Sequence, residues 1–185
     1  GDNGTMLIGD GSSWTAQAWD EGDEWKNSTF TSFWMPATGS KMWIGGNGGL
    51  VIHYDTEDWV QQITPAGVGN IADMWGASDS TVWAVTNGYI LRFKNNEWVE
   101  DDYGTTGVTF RSIWGLKDNA ELLIYAVGNG GTVYESDGFF WTKQEKVENQ
   151  FSNTNVMAVN GGDSPASGTW IVTDDGKYAY LNADK

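Results

Sequence analysis

Apolar residues in this chain fall in short runs separated by Gly, Asn and Asp, with no long stretch at helical spacing. The clearest case is 73 to 102. Met74-Trp75-Gly76 is a short, wholly apolar strand in which Gly lets backbones crowd. Val82-Trp83-Ala84-Val85 is a continuous apolar run, as expected of a strand buried on both faces. Asn87-Gly88 supplies the positive φ of a two-residue hairpin turn. Ile90-Leu91-Arg92-Phe93 begins to alternate, and Asn95-Asn96 turns it into Trp98-Val99-Glu100, whose charge suits an outer edge. Four strands, here lettered A to D in chain order, are thus predicted within about thirty residues.

The same pattern recurs. A-type segments are SFWMPAT at 32 to 38, DMWGASD at 73 to 79, SIWGLKD at 112 to 118 and a degenerate NVMAVNG at 155 to 161. B and C segments are MWIGGNGGLVIHY from 42, VWAVTNGYILRF from 82, IYAVGNGGTVYE from 124 and TWIVTDDGKYAYL from 169. An aromatic opens each D strand at Trp14, Trp59, Trp98 and Trp141, giving periods of 45, 39 and 43 residues. A period near 40 to 45 with four strands per unit is that of a propeller blade, so the fold class expected is an all-β propeller of four-stranded antiparallel blades. A single blade would leave both faces apolar; only a ring or stack buries them.

The sequence IWG, VWAV, NGG, an apolar run, then DG followed by Trp resembles the bacterial propeller repeats grouped with the WD-, YVTN- and BNR-like families. DGSSW at 10 to 14 and DGFFW at 137 to 141 are similar to a degenerate Asp-box, while DTEDW at 55 to 59 and NNEW at 95 to 98 lack its Gly. Sialidases with this device clamp a carboxylate with three arginines, and the chain has only Arg92 and Arg111.

The repeat assigns one propeller region over 1-185: strands C and D of a partial blade at 1-17, blades at 32-64, 73-102 and 110-146, and a blade lacking its last strand at 154-185. Either the first strands complete the last blade, leaving a surplus strand, or the chain is a segment of a larger propeller.

Composition narrows the chemistry. Ten Lys plus Arg against 25 Asp plus Glu give a formal charge of -15, so nucleic acid is a poor partner. Without Cys there are no disulfides and no thiol chemistry, and no apolar run is long enough for membrane insertion. No signal peptide opens the sequence as given, and export to the cell surface or periplasm is expected from the resemblance. His53 stands alone on a strand, where a surface position is expected, and Trp34, Trp75, Trp114, Trp43, Trp83 and Trp170 recur at blade spacing and are expected in the core. The sequons at Asn3 and Asn27 match a glycosylation acceptor pattern.

Two groups are candidate ligand contacts, both on the face carrying the B-to-C turns and D-to-A connections. The longest connection, AWDEGDEWKNSTFT from 18 to 31, places Trp19 and Trp25 around Asp20, Glu21, Asp23 and Glu24. Aromatic faces beside carboxylates can stack a sugar and bond its hydroxyls, and Asp20, Asp23 and Glu24 could hold Ca²⁺. The simpler reading is a solvated acidic loop whose Trp pack down as cover. The second group is Asn47, Asn87, Asn129 and Asp174, at equivalent turns around one rim; Asn in such turns is first a positive-φ residue.

The function expected is a non-catalytic extracellular binding module taking a protein or polysaccharide partner. The alternatives are a building block that self-associates through open strand edges, and a glycosidase using a carboxylate pair, for which no residue pair stands out.

Overall fold

A computed structural model describes residues 1–181 except 38, 40, 120, 163, 165 and 166. The spans assigned from sequence at 32-64, 110-146 and 154-185 are therefore covered only in part, and 182 to 185 lie outside the described residues.

The chain opens with a hairpin, β1 (Leu7–Gly9) and β2 (Trp14–Ala16). Three four-stranded antiparallel sheets follow: β3 (Phe30–Trp34) to β6 (Trp59–Gln62) through β4 (Met42–Gly46) and β5 (Val51–Tyr54); β7 (Ile71–Ser78), β8 (Thr81–Thr86), β9 (Ile90–Lys94) and β10 (Glu97–Asp101); then β11 (Phe110–Asp118), β12 (Glu121–Gly128), β13 (Val133–Ser136) and β14 (Trp141–Lys143). After a short helix α1 (Glu145–Phe151), a three-stranded sheet is made by β15 (Val156–Gly161), β16 (Thr169–Thr173) and β17 (Tyr178–Leu181). Each sheet is a meander in chain order, and the first strands pack side by side, β3 on β7, β7 on β11 and β11 on β15. This is a β-propeller arrangement, as the repeat predicts. The hairpin β1–β2 forms its own sheet rather than pairing with β17. It docks on the first full sheet, where Gly4 N–H donates to Ser28 O at 2.6 Å, just as Gly131 N–H donates to Thr154 O at 2.7 Å further round.

The core consists of the seams between sheets. Trp43 and Val51 of the first full sheet pack with Met74, Leu91, Phe93 and Trp98 of the second. Trp83 and Ile90 of the second meet Ile113, Ile124 and Tyr134 of the third, and Tyr125 and Val133 of the third meet Val159 and Ile171 of the fourth. A second strand such as β8 is therefore apolar from Val82 to Val85 without a break, because both its faces are buried. Trp170 departs from the expectation of a core residue. It lies on the face of the fourth sheet turned away from the third and is 48% exposed, beside Tyr180 with ring centroids 4.9 Å apart.

The first strands carry a repeated joint. Glycines 76, 115 and 161 each lie under the indole of the preceding sheet's first strand: Trp34 over Gly76, Trp75 over Gly115 and Trp114 over Gly161. A Cβ on Gly76 would stand 2.8 Å from Trp34, and one on Gly115 2.7 Å from Trp75. Those Trp are half-buried, filling the joint rather than the seam interior. Asp73 stitches the same joint: its Oδ2 accepts from Ser112 Oγ at 2.8 Å and Ile113 N–H at 3.0 Å, both across on β11. Burial pushes its carboxyl up despite those bonds.

His53 is not the surface residue expected. Its side chain is 13% exposed, stacked on Trp43 at 4.0 Å, and its Nε2 sits 2.9 Å from Asp79 Oδ1 on the next sheet. Asp79 also accepts from Lys41 Nζ at 3.0 Å and Trp43 Nε1 at 3.2 Å. Arg92 holds the equivalent place on β9, over the Trp83 ring at 4.7 Å, and donates to Gly138 O at 2.7 Å. Cross-strand partners of the buried aromatics thus latch one blade to the next.

Candidate functional site

In the first, third and fourth of the sheets after the opening hairpin, the turn between the second and third strands folds back on the entry to its own first strand, whereas the Asn87 turn of the second bridges Thr109 at the entry to β11. Asn47 N–H donates to Thr29 O at 3.0 Å, Asn129 N–H to Thr109 O at 2.9 Å and Asp174 N–H to Asn155 O at 3.0 Å. The turns also clasp the following sheet, with Gly48 N–H donating to Asn70 Oδ1 at 2.9 Å and Gly130 N–H to Asn155 Oδ1 at 3.2 Å.

This scaffolding uses most of the rim residues singled out from sequence. Asn87 Oδ1 accepts from Thr109 Oγ1 at 2.7 Å, and Asn129 Oδ1 accepts from Arg111 Nε at 2.6 Å. Asp174 takes Thr154 Oγ1 at 2.7 Å and the main-chain and side-chain nitrogens of Asn155 at 3.0 and 2.6 Å. Those hydrogen bonds, the Thr154 hydroxyl foremost, hold its carboxyl below the usual carboxylate range. Asn47 differs: it is exposed, and its carboxamide bonds to no other described residue.

The long connection folds over the same sheet. Trp19 is half-buried, donates from Nε1 to Gly4 O at 2.6 Å, and meets Trp25, Phe30 and Trp59 edge-on at centroid separations of 6.2, 5.8 and 5.2 Å. Trp25 sits in the short 3-10 helix Glu24–Asn27, is 7% exposed, and packs with Phe30, Ile44, Leu50 and Ile52. Both indoles therefore cover the blade, and neither offers an open flat face. Asp20, Asp23 and Glu24 do not converge as the Ca²⁺ ligands the sequence allowed. Asp23 Oδ2 turns back to accept Asp20 N–H at 2.8 Å, and among the described residues no three His, Cys, Asp or Glu side chains gather to hold a metal ion.

What the connection does build is a cleft of about 550 Å³ between the 3-10 helix, the Asn47–Gly49 turn and the end of β6. Glu24, Trp25 and Asn47 line it, joined by Gln61, Gln62 and the 90%-exposed Ile63, which the repeat gave no reason to single out. The indole N–H of Trp25 is buried and has no hydrogen-bond partner among the described residues. Such a group carries a desolvation cost until an acceptor reaches it. A larger hollow of about 730 Å³ lies between the hairpin and the bare face of β3, beside Leu7, Ile8, Phe33 and Met35. Its walls are chiefly apolar, with Gln17, Lys41 and Glu57 among the polar side chains at its border.

No protein-family model matches the chain, and no curated protein does either. Among solved structures it is similar to YCF48 bound to a D1 peptide, at 18% identity and a TM-score of 0.68, covering 100% of this chain and 59% of that one. YCF48 from Cyanidioschyzon merolae matches at 13% identity and a TM-score of 0.70 over 100% of this chain and 65% of that one. The extracellular domain of the putative hybrid two-component system BT3049 from B. thetaiotaomicron matches at 16% identity and 0.69, over 94% of this chain and 24% of that one. The chain thus spans less than two thirds of each, and identities this low speak to fold alone. No helix among the described residues is long and apolar enough to cross a membrane.

Proposed function

We propose that the chain is a non-catalytic interaction scaffold, working outside the cytoplasm, whose turn face receives a protein partner. The observation that carries this reading is the division of labour along the rim. Asn87, Asn129 and Asp174 spend their side chains on residues at the start of the first strands, while Asn47, with Glu24, Trp25 and the β6 glutamines, lines a cleft that the rest of the fold does not use. Similar propellers include one solved with a peptide and one that is an extracellular domain, which supports both halves of the proposal by fold analogy. The formal charge of -15 favours a partner with a basic surface.

Because the chain has no Cys, Asn47→Cys can be labelled at a single position with a polyethylene-glycol maleimide. We expect peptides captured on an array by the unlabelled protein to be lost on labelling, with no peptide or glycan cleaved. Binding that survives the label would place the partner elsewhere, and turnover would overturn the non-catalytic reading. Self-assembly is a second reading, favoured by the edge of β17, which pairs with no strand but β16 among the described residues, and by the exposed Trp170, Tyr178 and Tyr180. It requires a solution mass that is a multiple of 20.3 kDa.

A further inference from the structure

We infer that the cleft beside Trp25 takes an extended, lysine- or arginine-bearing peptide segment, with the Trp25 indole N–H donating to one of its main-chain carbonyls. This rests on the interaction-scaffold reading and names the ligand class of that same site. Three observations favour a peptide over a glycan. A sugar site on a propeller needs an aromatic face to stack against, and Trp25 is 7% exposed while Trp19 is flanked by three other rings. What Trp25 has to give is its N–H, a donor without acceptor capacity that suits a carbonyl oxygen. Asn47, Gln61 and Gln62 supply carboxamides, each both donor and acceptor and so matched in kind to peptide groups.

The outer edge of β6 adds main-chain donors and acceptors to these. Among the described residues β6 pairs only with β5, and it ends at Gln62 in the cleft, so an extended segment leaving the cleft meets an open strand edge. The charge of the segment follows from the rim. Among the described residues Glu24 is the only ionisable side chain lining the cleft, Asp20 and Glu21 stand exposed on the same connection, and Lys26 of the 3-10 helix is bound to Glu21 O. An acidic peptide would meet the Glu24 carboxylate in the cleft, whereas a Lys or Arg would pair with it.

The test uses the full chain with three probes: a ten-residue peptide alternating lysine and serine, its glutamate-for-lysine counterpart, and soluble cello- and chito-hexaose, followed by titration calorimetry. We expect the basic peptide to bind and the acidic one not to. Trp25→Phe, which keeps a ring and removes the N–H, should weaken the basic peptide about five- to tenfold, the scale of one hydrogen bond from a buried donor. Because Trp25 lies in the core, Gln61→Ala on the exposed strand end is the companion variant, expected to weaken binding about three- to tenfold with unchanged thermal unfolding. Binding of the basic peptide at unaltered affinity in both variants would overturn the site assignment. Binding of a hexaose, lost on labelling Asn47→Cys, would overturn the peptide class while leaving the scaffold reading standing. Binding of no probe would overturn the inference as well.

Discussion

Replacing Gly115 by Ala tests the joint that sets one blade against the next. A methyl group there would stand 2.7 Å from Cζ3 and 2.8 Å from Cη2 of Trp75, where ordinary carbon contact is about 3.5–4.0 Å. The indole or the strand must then retreat by roughly 0.8 Å, and overpacking on this scale costs about 1–3 kcal/mol. For a chain of 185 residues that is a fall in Tm of about 2–4 °C per kcal/mol. Trp75→Phe deletes the atoms that clash, because Phe lacks the outer ring carrying Cζ3 and Cη2. Alone it should cost about 1–2 kcal/mol, less than the roughly 3–5 of truncation to Ala. In the double variant the overlap is gone, so the two costs should not add: a coupling of about 1.5 kcal/mol in favour of the pair is expected. Denaturant unfolding of the four proteins measures it. Additivity within about 0.5 kcal/mol would refute the claim that Trp75 seats on Gly115.

Other outcomes follow from single side chains. Thr56 holds φ +95° where the equivalent turns at Gly11 and Gly138 hold +90° and +88°, so Thr56→Gly should raise stability by about 1 kcal/mol by removing strain from a β-branched residue. Asp79→Ala leaves His53, Lys41 and the Trp43 N–H without their shared acceptor and should cost about 1–3 kcal/mol in chemical unfolding. Asp73→Ala should cost a similar ~1–3 kcal/mol by stranding the Ile113 N–H. In Asp10, Asp55 and Asp137, main-chain N–H groups of the hairpin turn, those of Ser12, Asp58 and Phe140 foremost, hold the carboxyls below the usual carboxylate range. The folded chain therefore resists their protonation. Their contribution is complete above the unfolded value of about 3.9 and is lost as pH falls through the lower folded values, which carbon-detected NMR titration of the side chains reads directly.

How far sequence reached depends on whether a feature repeats. The blades were legible because each buried second strand, such as Val82-Trp83-Ala84-Val85, is apolar on both faces, a pattern few other folds demand. The glycine after Trp75 or Trp114 was legible as a small-residue requirement but not in its cause, since a ring from another sheet, not another backbone, occupies the space. His53 was read as a surface residue because its partner Asp79 lies 26 positions away on another blade, a spacing that no local pattern announces. Trp170 was read as core by its repeat position, yet no sheet among the described residues covers its face. DTEDW looked broken without Gly, but Asp55 still accepts Glu57 and Asp58 N–H at 3.0 and 3.1 Å, and Thr56 bears the strain. The helix α1 escaped because seven residues give barely two turns of periodicity.

The candidate site was half legible for the same reason. Glu24, Trp25 and Asn47 come from the two features a repeat throws into relief, an insertion and a turn, and the fold brings them together. Gln61 and Gln62 carry no such mark, because a D strand ending in polar residues is what any outer edge presents. The four rim positions looked equivalent in sequence, and only their partners separate them. Arg111 and Thr109 capture Asn129 and Asn87, and Asn155 and Thr154 capture Asp174, whereas the residues entering the first full sheet contribute only the Thr29 carbonyl to the Asn47 main chain. The long connection is the physical reason. By carrying Trp19 and Trp25 over the first sheet it supplies the packing that side-chain bonds between turn and entry supply elsewhere, which leaves the Asn47 side chain free and an indole N–H buried beside the same cleft. An insertion that takes over a structural task at one blade thus creates binding capacity there, and a ligand that satisfies Trp25 should also rigidify the connection, visible as slowed amide exchange between residues 19 and 29 on peptide binding.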